Sequence, residues 1–186
     1  MAVKELKALV LYWSATGNTE KVANTIVKSL EAEKVSTVVK KVADANDEEL
    51  FGYDLVFLGC PSYSFLAPDP VIAWVKHKMQ VHHSRNDIKL TAPRLPGKTA
   101  VTFVTYSGPH TGIREASPVG EYLGQLFEHL GFDVAAKWYV VGEFHNRPNY
   151  NTQGRLGDLT GRPNKTDLEE VENNVVKIVR ALKKQA

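Results

Sequence analysis

The chain has 186 residues, 43% hydrophobic and 24% charged, values ordinary for a globular protein and sufficient for one domain, residues 1–186, with a sizeable core. Its 23 Lys and Arg against 21 Asp and Glu leave a formal charge of +2, so there is no electrostatic case for nucleic acid or a membrane surface. The single cysteine, Cys60, excludes an internal disulfide, and no apolar run approaches the length of a membrane span.

Met1 to Lys7 carries charge where a signal peptide would be apolar, so the expected location is cytoplasmic with no membrane insertion. Residues 8–13 are an apolar run that reads as a strand. The turn Ser14-Ala15-Thr16-Gly17-Asn18-Thr19 follows, and Val22, Ala23, Ile26, Val27 and Leu30 then repeat at helical spacing. Residues 35–42 alternate as a second strand, 47–51 leave room for a short helix ended by Gly52, and 54–59 form a near-continuous apolar run suited to a strand covered on both faces. Asp69-Pro70 has the form of an N-cap followed by proline, ahead of the apolar stripe Val71, Ile72, Trp74, Val75 and Met79. Residues 80–98 show no sustained period and read as a long surface connection.

A fourth strand spans 99–105, followed by the loop Tyr106-Ser107-Gly108-Pro109-His110-Thr111-Gly112. Ser117-Pro118 repeats the cap-plus-proline signal before a helical stripe that Gly131 ends. A fifth strand spans 134–141. Residues 142–164 are again irregular and polar, and they contain Arg147, Arg155 and Arg162. Thr166-Asp167-Leu168-Glu169 then reads as a capping box before a closing amphipathic helix.

Five strands alternating with helices predict an α/β fold, one parallel sheet with helices on both faces. Ligands of such sheets bind beyond the carboxyl ends of the strands, near the point where strand order reverses. Three loops meet that description, 14–19, 60–68 and 105–112, and they are expected to face one another. The stretch after Gly142 also follows a strand's carboxyl end, which puts it on the ligand side. Its arginines could bind the phosphates of a nicotinamide cofactor or close an interface in a homo-oligomer.

The turn from Ser14 to Thr19 presents backbone N–H groups and hydroxyls at a helix N-terminus, a setting that favours an anion. No Lys stands between Ser14 and Glu20, which excludes a Walker loop, and the G-x-G-x-x-G dinucleotide pattern is missing. Leu66 occupies the position where a phosphatase loop starting at Cys60 needs Arg. What remains is a single terminal phosphate held by neutral donors. The second loop, with Pro61, Ser62, Tyr63, Ser64 and Phe65, and the third, with Thr105, Tyr106, Ser107, Gly108 and His110, suit a flat ring with a phosphate tail. Cys60 reads as a small buried filler.

These motifs resemble the flavodoxin family: Ser14 to Thr19 is similar to its FMN-phosphate loop, and Gly59-Cys60-Pro61-Ser62-Tyr63 to the ring-flanking loop of its NAD(P)H-oxidising branch. The resemblance implies a doubly wound five-stranded sheet of order 2-1-3-4-5. It also implies bound FMN, with the phosphate on Ser14, Thr16, Asn18 and Thr19 and the ring near Pro61, Ser62, Tyr63, Thr105, Tyr106 and Gly108. Carrier flavodoxins are typically acidic, whereas this chain is slightly basic. Its third loop, of the form Ser-Gly-x-His-x-Gly, is more similar to FMN-dependent quinone reductases of the WrbA type. A cation at His110 or Arg114 would favour two-electron reduction of the ring, with NADH or NADPH as donor and a quinone-like or other small molecule as acceptor. The competing readings are an electron carrier for a redox protein and a flavodoxin-like interaction domain without cofactor.

Overall fold

In the computed structural model, which describes residues 5–185, the first apolar run forms β1 (Lys7–Tyr12) and becomes an interior strand. Of the charge pattern read over Met1 to Lys7, residues 1–4 lie outside the described residues. β2 (Ser36–Lys41), β3 (Leu55–Pro61), β4 (Thr99–Tyr106) and β5 (Asp133–Val141) complete a parallel sheet of order β2-β1-β3-β4-β5, the doubly wound order expected. Burial follows position in the sheet. β3 lies between β1 and β4 and is buried from Leu55 to Cys60, while β2 at the edge stays half exposed.

Alternation along the strands sorts the core into two layers. Leu9, Leu11, Val56, Leu58 and Val104 pack against α2 (Asp69–Ser84) and α3 (Ser117–His129). Val10, Tyr12, Phe57, Val101 and Phe103 face the other way, toward α1 (Asn18–Ala32) and α5 (Lys165–Gln185). On α5, Val171, Val175 and Val179 recur every fourth residue and are buried. Each contributes about 1.5–3 kcal/mol by leaving water. No helix among the described residues is long and apolar enough to cross a membrane.

Helix starts differ from the sequence reading in an instructive way. α2 begins at Asp69 itself, because the carbonyl of Pro68 accepts the first helical N–H groups, from Val71 at 2.9 Å and Ile72 at 3.0 Å. Asp69 therefore acts through its charge in the first turn rather than as a cap. α3 likewise begins at Ser117, with the Ala116 carbonyl accepting from Val119 at 3.0 Å. At α5 the reciprocal box is Asn164 with Asp167, not Thr166 with Glu169. The Asp167 N–H donates to Asn164 Oδ1 at 3.2 Å and the Asn164 N–H to Asp167 Oδ2 at 2.8 Å, consistent with Asn being a better cap than Thr. The short helix expected at 47–51 is a single 3₁₀ turn, Leu50–Gly52. α2 continues to Ser84, into the stretch read as irregular, and residues 142–164 contain one short helix, α4 (Pro148–Thr152).

The chain passes from β1 outward to β2 and returns to the other side of β1 as β3. The carboxyl ends of β1 and β3 thus flank the switch point, and β4 extends the opening.

Candidate functional site

Above that switch point lies a cavity of about 630 Å³. Every candidate residue of the three loops lines it except Gly17, which turns the chain beneath. Gly17 has φ +96°, a left-handed conformation costly for any side chain; its N–H donates to Ser14 Oγ at 3.1 Å and its carbonyl accepts from Lys21 at 2.9 Å. α1 starts immediately after, so the N–H groups of Asn18, Thr19 and Glu20 have no acceptor within the helix. The carboxylate of Glu20 accepts from Tyr12 Oη at 2.7 Å and lies 3.6 Å from Lys41. Burial and this bond raise the Tyr12 hydroxyl to about 12, while the same bond lowers Glu20.

Two side chains of the first loop hold other loops in place. Thr19 is buried and shares a 2.7 Å hydrogen bond with the hydroxyl of Thr105, joining the first loop to the end of β4. Asn18 donates from Nδ2 to the Glu143 carbonyl at 2.8 Å, joining it to the segment after β5. The sequence reading directed both toward the anion. In this structure the two side chains also join the walls of the cavity to one another, and the backbone N–H groups of both residues lie at the start of α1.

The second loop is a two-residue hairpin. Tyr63 and Leu66 exchange backbone bonds of 2.9 and 3.0 Å around Ser64 and Phe65, both at positive φ, as a tight turn matched to strand twist requires. Neither residue is glycine, so the turn stores strain at the cavity rim. It leaves Tyr63 45% and Phe65 56% exposed, and the Tyr63 ring meets Trp13 edge-on at 5.9 Å. Trp13, read only as the end of a strand, is thus a support for the second loop.

In the third loop Gly108 has φ +51°, and a Cβ there would lie 2.7 Å from the Gly112 carbonyl. The loop closes on Glu115, whose Oε1 accepts from the backbone of His110 at 2.8 Å and Thr111 at 2.5 Å. Glu115 also lines the cavity, a position that the sequence reading missed. The available signal was an acidic residue a few positions after the Gly-Pro-His turn. Tyr106 is half-buried, and burial raises its hydroxyl despite the nearby Arg162. Arg114 does not line the cavity. Cys60 is fully buried, and burial pushes its thiol far above the ordinary range.

The family model described as flavodoxin matches residues 10–153, most of the chain and all three loops. The chain belongs to the flavodoxin family. Flavodoxins bind FMN and transfer electrons. A flavodoxin of Clostridium beijerinckii is 43% identical over 53 residues, a stretch covering 27% of this chain and 37% of that protein, so the chain matches well under half of that relative's length. The solved structure of oxidised Flavodoxin 1 from Bacillus cereus covers 94% of this chain and 97% of its own, with a TM-score of 0.67 and 18% identity. A flavodoxin, WrbA-like protein from Agrobacterium tumefaciens covers 98% and 100%, with a TM-score of 0.64 and 12% identity. At those identities the likeness is one of fold.

Beyond the three loops, this flavodoxin-family chain has a fourth wall. Glu143, Phe144, His145, Asn146, Arg147 and Tyr150, from the segment after β5, line the same cavity. Gly142 fastens the segment to the third loop, its N–H donating to the Tyr106 carbonyl at 2.8 Å and its carbonyl accepting from Ser107 Oγ at 2.8 Å. Of the three arginines read there, only Arg147 reaches the cavity. Arg155 gives its backbone N–H to the Pro109 carbonyl at 2.8 Å, and Arg162 pairs with Asp167, Nε to Oδ2 at 2.9 Å.

Proposed function

We propose that the chain holds FMN in this cavity and acts in the cytoplasm as an oxidoreductase, taking electrons from NADH or NADPH and passing them to a quinone-like or other small acceptor. The observation that carries the reading is the meeting of a helix N-terminus rich in neutral donors with two tyrosine-bearing loops around one cavity. The donor set suits a monophosphate: the N–H groups of Asn18, Thr19 and Glu20 with the hydroxyls of Ser14 and Thr16. Tyr63 and Tyr106 suit the two sides of a flat ring, with the backbone of Thr105 to Gly108 along its polar edge. FMN, when bound, supplies the electron chemistry. The chain's own residues anchor the phosphate, orient the ring and shape what can approach it. His110 is the candidate for positive charge beside the reduced ring, and the Glu115 carboxylate against its backbone offsets part of that charge. Support for a reductase related to the WrbA type is the third loop, Ser107 to Gly112.

A second reading, an electron carrier for a redox protein, draws on a different observation. Phe65, Leu66, Ile113 and Phe144 remain exposed, an apolar fringe suited to a protein partner. Anaerobic mixing of the FMN-loaded protein with NADH and with NADPH separates the two. Bleaching of the yellow flavin absorbance by either supports the reductase. No bleaching by either overturns it in favour of the carrier, and failure to take up FMN overturns both.

A further inference from the structure

We propose that the segment after β5 builds a second subsite at the mouth of the cavity, for a planar aromatic ligand bearing an anionic group, such as a carboxylated or sulfonated quinone. The inference rests on the reading of FMN in the inner cavity and names the class of acceptor that would approach it. Four residues form the wall. The Arg147 guanidinium lies over the Tyr150 ring, 5.4 Å from its centroid, and Tyr150 meets Phe144 at 5.4 Å and His110 at 5.6 Å, both edge-on. The wall therefore runs continuously from the segment to the third loop, the loop that would flank the FMN ring.

The segment is built rather than solvated. Asn151, 5% exposed, pairs with both backbone groups of Phe144, accepting its N–H at 2.7 Å and donating to its carbonyl at 2.9 Å. Phe144 nevertheless stays 38% exposed at the cavity. An aromatic ring locked through its backbone and left open is a contact surface awaiting a flat ligand.

Charge selects the kind of ligand. Both carboxylates of the cavity are engaged by backbone N–H groups, Glu115 by His110 and Thr111, and Glu143 by Gly161 at 2.8 Å. Arg147 has no ion pair among the described residues, and the Tyr150 ring holds it at the cavity without neutralising it. Glu143 marks where the segment touches the phosphate loop, through Asn18, whereas 144–150 lean on the third loop. That separation assigns Arg147 to a second ligand rather than to the FMN phosphate.

The test is isothermal titration of the oxidised, FMN-loaded protein with anthraquinone-2-sulfonate, with neutral 2-methyl-1,4-naphthoquinone for comparison; neither needs a nicotinamide donor. Arg147→Met is expected to weaken sulfonate binding about tenfold while leaving the neutral quinone within about twofold. Arg147→Lys recovers part of the loss, Phe144→Ala weakens both ligands, and all variants keep stoichiometric FMN. Sulfonate binding unchanged in Arg147→Met, or no sulfonate binding by the unmodified protein, overturns the proposal. So does loss of FMN in Arg147→Met, which would give the wall to FMN. ADP-ribose is titrated as a third ligand, and a loss in Arg147→Met confined to it also overturns the proposal, because it would give the cation to the nicotinamide dinucleotide. If the unmodified chain takes up no FMN, the proposed function falls first; if it takes up FMN but neither nicotinamide bleaches it, this titration still decides the subsite.

Discussion

The two irregular connections, residues 85–98 and 142–164, resemble each other in composition but differ in what the fold asks of them. The first joins α2 to the amino end of β4, and its contacts are those of a strap: the Leu95 N–H donates to the Gly131 carbonyl at 2.8 Å, Arg94 meets Asp133, and Leu90 is 95% exposed. The second sits over the carboxyl ends and contains buried Asn151 and Leu159, a short helix, and backbone bonds to the third loop. At the amino end a connection need only reach the next strand; at the carboxyl end it becomes a wall. Polar residues that read alike in sequence are solvated in one place and structural in the other.

The largest effect expected at the carboxyl end comes from Gly17→Val. Nothing lies within 4 Å of a Cβ there, so the cost is backbone strain at φ +96° rather than a clash, about 1–2 kcal/mol locally. Relief of that strain would re-aim the N–H groups that begin α1. We expect stoichiometric FMN uptake to be lost while far-UV circular dichroism stays unchanged; a variant that keeps its flavin would remove the turn from the site.

Next in size is Asn151→Leu, which asks whether the second connection is structural at all. It leaves the N–H and carbonyl of Phe144 without their partner, at a cost of about 2 kcal/mol, or roughly 4–8 °C in Tm for a chain of this size. A Tm shift no larger than that of a solvated loop substitution would erase the contrast between the two connections.

The sheet was legible in the sequence because apolar periodicity reports burial directly: the short run around Val56 to Leu58, bounded by turn residues, suits an interior strand, and Val171, Val175 and Val179 recur as one face of a helix. The three loops were legible because strand ends locate them. Less legible were contacts decided by distant pairing. Glu115 carried only the weak sign of an acidic residue a few positions after the Gly-Pro-His turn, which does not say that its carboxylate returns to the His110 backbone, and nothing near Asn18 in sequence says that its side chain reaches the Glu143 carbonyl. Asn151 sat unremarked among polar residues, since nothing nearby in sequence says that a side-chain amide will replace a strand partner. The helix starts moved by one residue for a related reason, namely that the carbonyls of Pro68 and Ala116 compete with the side chains of Asp69 and Ser117 for the first turn.

Asp167→Asn probes the far anchor of the second connection on pH. Arg162, whose carbonyl accepts from Glu143 at 2.8 Å, is tied to α5 by Asp167. Burial raises the Asp167 carboxyl, but the Arg162 guanidinium and the Asn164 N–H lower it further, so it lies below its ordinary value. A carboxyl lowered on folding adds stability that is fully present above its unfolded value, about pH 4, and is lost as pH falls through the folded one. The variant should lose about 1 kcal/mol near neutral pH and converge on the parent once the pH has fallen through the lowered folded value. Parallel thermal curves at both pH values would place the anchor elsewhere.

The smallest effect is expected from Arg94→Ala, at the amino end. Its pair with Asp133 is 2.7 Å long, but the two side chains are 79% and 48% exposed, so solvent screens the attraction and side-chain entropy offsets what is left. The expected loss is at most about 0.5 kcal/mol, within roughly 2 °C in Tm, with FMN and quinone-sulfonate binding unchanged. The same removal of a guanidinium at Arg147 is expected to leave Tm equally still and to change ligand binding. Both are exposed arginines in irregular connections; they differ in that Arg94 has a carboxylate partner in open water, whereas Arg147 lies over an aromatic ring at a cavity and has none. If Arg94→Ala weakened sulfonate binding as much as Arg147→Met, the effect would be one of general surface charge, and the distinction between strap and wall would fail where it matters for ligand choice.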